Sequence, residues 1–345
     1  MNAEVNELRD SARQVMEGAG LAAAEQETWP LVAELGWLMV TVPEEQGGLG
    51  MGLDAACALH LEMGRSLATV PCLSALLGIE ALSGSDSALK ETHLERVITG
   101  EEFIAVALAE PAVAVTRVDG DKLSGTLQAV PSADRADFIL VATDDGELLA
   151  LVARDAVQLT EQATWDKTRR LFDVALDGVA IDEQLVLARG GAARALLEKL
   201  AVHRDFALAA DAVGGAAALL EMTVEYLKTR RQYGRPLALF QALKHRCADL
   251  KVYVEAAEAL LMANLDLLAA GGDAVALASA AKELSAGTYT MVADESLQLH
   301  GGIGMTSEHD CHLFLKRAML DEHLGRGQGA YSALLADQLL AATAR

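Results

Sequence analysis

Two stretches hold the residues best suited to chemistry. Thr229 to Leu250 reads TRRQYGRPLALFQALKHRCADL, and Leu297 to Ala318 reads LQLHGGIGMTSEHDCHLFLKRA. In the first, Arg230, Arg231, Gln232 and Arg235 crowd a tight turn that carries Tyr233 and Gly234. In the second, Gln298 precedes Gly301, Gly302 and Gly304, whose amides a ligand could approach closely. Guanidinium forks together with exposed amides suit a diphosphate. Either stretch alone reads equally well as a basic helix corner or an ordinary glycine loop.

Helices must position both stretches. Glu221 to Thr229 is a helical run that Gly234 and Pro236 interrupt, since glycine permits positive φ and proline lacks an amide donor. The pattern predicts helix again over Ala238 to Leu250, and long helices over Ala193 to Val224, Leu239 to Ala270, Asp273 to His300 and Cys311 to Ala342. Upstream, helices are predicted over Gln26 to Leu35 and Leu53 to Leu67, with a loop at Pro43, Gly47, Gly48 and Gly50. Between Phe103 and about Leu187, short apolar or alternating runs are separated by Asp119-Gly120, Asp145-Gly146 and Asp177-Gly178, which reads as an antiparallel β-domain with Asp-Gly turns. The expected architecture is α+β and multidomain: a helical domain (1–100), a barrel-like β-domain (101–189) and a C-terminal four-helix bundle (190–345).

Composition narrows the partners. The 345 residues are 52% hydrophobic and carry a net charge of −22. A surface that acidic repels phosphate backbones and makes nucleic acid an unsuitable partner. No uninterrupted apolar run of ~18 residues is evident, so no membrane span is expected. Cys57, Cys72, Cys247 and Cys311 lie at no metal-ligand spacing and read as reduced core thiols of a cytoplasmic protein. The N-terminal sequence MNAEVNELRDSARQ lacks an apolar signal core. An apolar face with Leu260, Leu261, Leu265 and Leu268 is expected to join chains through the bundle.

The two stretches together, R-x-Q-Y-G-x-P followed by F-Q and later Q-L-x-G-G-x-G, resemble the acyl-CoA dehydrogenase family. V-P-E-E-x-G-G-L-G from Val42, Ala136-Asp137 and Asp166-Lys167-Thr168-Arg169 extend the resemblance along the chain. It implies an FAD enzyme that desaturates an acyl-CoA thioester and passes electrons to a separate acceptor. It also implies flavin contacts by Arg230, Gln232, Tyr233, Gln241, Gln298, Gly301 and Gly302.

The chain departs from the family where the chemistry needs it. Only Glu110-Pro111 remains of the loop that borders the flavin, and TLQAVPSA replaces the segment that brings a tryptophan against it. α-Proton removal needs a positioned, desolvated carboxylate. The family's usual base position falls at Gly325, with Asp321 and Glu322 about one turn earlier. The alternative position falls at Arg204, beside Asp205, which is a displaced base or simply half of a surface ion pair. Glu308 matches a structural acid, and the surrounding His300, His309 and His312 fit no standard metal spacing, so capping of the next helix by Ser307 or Asp310 is expected instead. The resemblance therefore implies a base-lacking, FAD-binding subunit paired with a related chain, possible substrates including steroid-derived CoA thioesters. The alternatives are a self-sufficient homo-oligomer using Asp205 and a non-enzymatic scaffold.

Overall fold

Helices α1 (Ala3–Ala19), α2 (Glu25–Glu34), α3 (Leu53–Arg65), α4 (Cys72–Ser83) and α5 (Leu89–Ile98) open the chain in the computed structural model, which describes residues 3–110, 115–118, 121–327 and 329–343. The strands follow: β1 (Ile104–Ala105), β2 (Val115–Val118), β3 (Lys122–Pro131), β4 (Phe138–Ala142), β5 (Leu148–Ala153), β6 (Gln158–Glu161), β7 (Leu171–Ala180) and β8 (Val186–Arg189). They form two four-stranded sheets, ordered β1-β4-β5-β8 and β2-β3-β7-β6. Pairing is antiparallel except for β1 with β4, which is parallel.

The expected Asp-Gly turns fare differently. Asp145-Gly146 does turn β4 into β5, with Gly146 at φ 69° and its amide donating to Thr143 O at 2.9 Å. Asp177-Gly178 is no turn. It sits inside β7, where Gly178 at φ 61° accompanies a register shift against β3, so the pair marks a bulge. Asp119-Gly120 lies outside the described residues, as does Pro111 with the start of the segment after it.

One helix, α6 (Gly190–Thr229), runs through the second half of the chain. Every residue from Val202 to Ala216 on it is buried. It is long and apolar enough to cross a membrane by those two measures, but 72% of its most apolar window is buried by the protein itself. Its apolarity thus follows from its central position. A Cβ at Gly214 would overlap Leu61 O and one at Gly64 would overlap Asp211 O, so these glycines let α3 and α6 cross at backbone distance.

Beyond α6 come a two-residue hairpin, β9 (Arg231–Gln232) and β10 (Arg235–Pro236), then α7 (Gln241–Ala269), α8 (Ala274–His300), α9 (Cys311–His323) and α10 (Ala330–Thr343). A 3₁₀ turn at Leu237–Leu239 precedes α7, so the helix resumes later than the pattern suggests. The expected single helix over Cys311 to Ala342 is two helices. Gly325, Gly327 and Gly329 take φ values of 75°, 78° and 78° and break it. Leu261 and Leu265 are buried against α3 and α6 and do not form an exposed face; Leu260 and Leu268 are half-buried. The exposed large apolar residues of α7 are instead Val252, Tyr253 and Leu267.

Candidate functional site

The break between α9 and α10 folds back onto the start of the sheet region. Gly325 N donates to Leu108 O at 2.8 Å and Glu110 N to Gly325 O at 2.6 Å. This pairing brings both sequence-predicted base positions together. Arg204 and Asp205 on α6 are 4% and 3% exposed, so Asp205 is not half of a surface ion pair. Arg204 Nε donates to Asp205 Oδ1 at 2.8 Å, and its Nη2 donates to Glu110 Oε1 at 3.1 Å. Burial opposes the Arg204 charge, but Asp205 and Glu110 more than offset it and raise its pKa.

Tyr331 on α10 completes the cluster. Its hydroxyl donates to Asp205 Oδ1 at 2.8 Å and accepts the Arg326 amide at 3.1 Å. Burial, and then the Asp205 carboxylate, push the phenol well above its ordinary pKa, so it stays protonated. A Cβ on Gly325 would overlap this hydroxyl and come within 3.2 Å of Asp205 Oδ1. The space a side chain at 325 would fill is therefore taken by tyrosine. Neither Tyr331 nor Arg326 was singled out from the sequence, although the L-G-R-G-Q-G spacing signals the break that brings them in.

Glu110, Arg204 and Arg326 line a cavity of about 580 Å³ between the first sheet, α4, α6 and α10. Its other walls are aliphatic, including Leu77, Val106, Leu140, Leu149, Leu200 and Leu334. Asp144 stands exposed at its rim. Asp205 lies behind this wall, and a carboxylate held by a guanidinium and a phenol is poorly placed to take a carbon acid's proton.

The other acids singled out from the sequence, Asp321 and Glu308 among them, face elsewhere. Asp321 is fully buried, 2.5 Å from Arg169. Arg169 also pairs with Asp211 at 3.0 Å, and Arg317 with Asp166 at 3.0 Å. Burial, with the neighbouring Asp211, pushes the Asp321 carboxyl up to about 8. Glu308 is exposed in the turn after α8. The expected capping of α9 by Ser307 or Asp310 does not occur. Asp310 makes no side-chain cap, and His309 Nδ1 instead accepts the Cys311 amide at 3.2 Å. No group of three metal-ligating side chains occurs among the described residues.

The diphosphate-type residues gather at the far end of α6. Tyr226 stacks on His300 at 4.5 Å, its hydroxyl donates to His300 O at 3.3 Å, and His309 packs 4.4 Å from His300. This plug ties the end of α6 to the glycine turn after α8. Arg246 on α7 pairs with Glu295 on α8, which sets the start of α7 beside the end of α8. Arg230, Gln232, Tyr233, Gln241, Gln298, Gly301 and Gly302 are all exposed here. Tyr233 and Gly234 take φ values of 51° and 79°, the two left-handed residues a type I′ hairpin requires. Arg230 forms no ion pair among the described residues, and a Cβ on Gly301 or Gly302 would meet nothing within 4 Å.

Known proteins share this fold. Residues 2–101 match the family model described as acyl-CoA dehydrogenase, N-terminal domain, and residues 190–333 the one described as acyl-CoA dehydrogenase, C-terminal domain. The chain is 34% identical over 300 residues to the acyl-CoA dehydrogenase IpdE2 of Mycobacterium tuberculosis, covering 85% of this chain and 80% of that protein. It superposes on a variant of the Tcur3481-Tcur3483 steroid ACAD with TM-score 0.87 and 30% identity, over 99% of both chains. A ChsE4-ChsE5 complex from Mycobacterium tuberculosis has the same fold, with TM-score 0.87, 24% identity and 99% and 98% of the two chains covered. Matched by model at both ends, and by fold along its whole length, the chain belongs to the acyl-CoA dehydrogenase family of FAD-dependent oxidoreductases.

Proposed function

We propose that this chain is the FAD-contacting, base-lacking subunit of a heteromeric acyl-CoA dehydrogenase, working with a related chain that supplies the base. The carrying observation is the filled base position. Arg204 lines the cavity and Gly325 packs behind its wall, neither offers a carboxylate, and Tyr331 occupies the room one would need at 325. Asp205 is the single acid of the cluster on α6, and it is held by Arg204 and Tyr331 behind the wall.

The exposed corner fits the cofactor's diphosphate. Arg230 offers a fork without an ion-pair partner among the described residues, and Gly301 and Gly302 offer open backbone beside it. Gln241 and Gln298 would lie toward the adenine half, with Gln232 and Tyr233 on the hairpin. FAD, when bound, supplies the hydride acceptor. Arg230 lies about 39 Å along the helix from Arg204, at 1.5 Å per residue. That span exceeds an extended FAD, so a cofactor gripped at Arg230 serves a cavity on another chain. The names of the relatives, one a steroid ACAD and one a two-protein complex, favour a bulky acyl group and a paired assembly. Four free cysteines suit a reducing cytoplasm.

The test is reconstitution. The purified chain and the chain co-expressed with a base-bearing family member are assayed for flavin per chain and for acyl-CoA oxidation with an artificial acceptor. Turnover is expected only in the pair. Turnover by the lone chain that disappears in Asp205→Asn would replace this reading with a self-sufficient enzyme.

A further inference from the structure

Tyr226, His300 and His309 tie the glycine turn to α6, and their hydrogen bonds fix the protonation state in which they can do so. His300 is the last residue of α8, directly before Gly301, and His309 stands on the far side of the turn. The two imidazole centroids are 4.4 Å apart. Tyr226 stacks on His300 at 4.5 Å and meets His309 edge-on at 5.7 Å. The Tyr226 carbonyl also accepts the Arg230 amide at 2.8 Å. The three rings therefore staple both ends of the turn to α6, one helical turn before Arg230.

Each tautomer follows from its partner. His300 Nδ1 lies 2.8 Å from Ser296 O, and a carbonyl only accepts, so Nδ1 carries the proton. In the neutral ring Nε2 is then a bare acceptor, and it is buried without a hydrogen-bond partner. His309 Nδ1 accepts the Cys311 amide at 3.2 Å, so its proton sits on Nε2. A second proton on His300 would bury an N–H without an acceptor and a charge without a counter-ion. From α6 the packed side chain is the Tyr226 phenol, and the exposed Arg230 beyond it is a cation. From α9 comes His312, whose Nδ1 accepts from Lys316 Nζ at 3.3 Å. Glu308 and Asp310 are exposed on the turn, and neither pairs with His300 or His309 among the described residues. Burial lowers the His300 pKa from 6.5, the Ser296 carbonyl works against that, and His309 lowers it further.

We propose that Tyr226, His300 and His309 form a proton-sensitive staple, which holds the glycine turn against α6 while both imidazoles are neutral and releases it when His300 takes a second proton. The sign follows from linkage: the closed form binds fewer protons, so the staple is fully closed above pH 6.5 and opens as pH falls below it. The staple rests on its own contacts; its effect on a diphosphate at Arg230 rests on the function proposed above.

Hydrogen exchange of residues 300–310 in the full chain at pH 7.5 and 5.5, corrected for intrinsic amide chemistry, tests the staple. One linked proton allows opening to rise by up to about tenfold between these values, and about three- to tenfold is expected. His300→Phe keeps a ring and removes the titration, so its corrected exchange should not change with pH. His309→Phe leaves His300 able to titrate and should keep the dependence. A parent without the rise, or a His300→Phe chain that shows the same rise, would overturn the proposal. If His300→Phe does not fold, His300→Gln carries the same comparison. ADP is titrated alongside as a diphosphate probe, and comparing parent with variant cancels the titration of ADP itself. Its affinity should fall with opening in the parent alone. Failure of ADP to bind at either pH would remove the diphosphate reading at Arg230 and leave the staple standing on exchange.

Discussion

Alanine at position 325 is the sharpest probe of the filled base position. Gly325 sits at φ 75°, where a side chain costs roughly 1–2 kcal/mol. Its Cβ would also overlap the Tyr331 hydroxyl and lie 3.3 Å from the ring carbon bearing it. Moving the tyrosine overpacks its surroundings, at about 1–3 kcal/mol. It also breaks the bond to Asp205, worth about 1.5–3 kcal/mol for a charged acceptor. Gly325→Ala should therefore destabilise the protein by roughly 3.5–8 kcal/mol. Tyr331→Phe removes the clashing oxygen and the bond together. In that background only the backbone term remains, about 1–2 kcal/mol. The expected coupling between the two sites is thus about 2.5–6 kcal/mol, read from denaturant unfolding of parent, both single variants and the double variant. Additivity within about 0.5 kcal/mol would refute the claim that tyrosine occupies the space at 325.

Arg230→Ala should lower flavin retention in the assembled enzyme by about tenfold or more, since a charge-assisted fork is removed; unchanged flavin per chain after gel filtration would withdraw the assignment. Glu80 supplies an acid-side signature: burial opposes its charge, but His203 and Lys199 hold it down at about 2 against 4.5 unfolded. Its contribution is full above pH 4.5 and fades as pH falls through 2, so Glu80→Gln should flatten the acid limb of the stability profile. Asp321 works in the opposite sense. Its folded pKa of about 8 lies above the unfolded 3.8, so the folded state holds the extra proton and stability falls as pH rises between them. Asp321→Asn should shrink the loss of stability between pH 5 and pH 8; an unchanged loss would place the proton elsewhere.

Periodicity showed the helices and most strands because burial on one face leaves its mark in sequence. The same signal failed where backbone conformation decides. Gly325, Gly327 and Gly329 sit in a run whose apolar spacing continues the helix on both sides, and only their positive φ values end it. Asp177-Gly178 has turn composition, yet β3 keeps pairing across it and makes it a bulge. Leu261 and Leu265 looked exposed because one helix alone does not reveal that α3 and α6 cover it. The site was legible by half. Arg204 and Gly325 could be counted from motifs, but Tyr331 reaches Asp205 across 126 residues of sequence, and no local pattern announces such a contact.

The length of α6 links these findings. A single helix of 40 residues carries the cavity wall near its start and ends at the diphosphate corner. A shorter helix would let one chain fold its own cofactor back over its own cavity. This one holds Arg204 and Arg230 apart, and under the function proposed above each chain's corner would serve a neighbour. On that proposal a chain without a base can keep Arg230, because its corner would act in a partner's reaction. The absence of a side chain at 325 and the exposed guanidinium at 230 are then consistent with one another, at the two ends of the same helix.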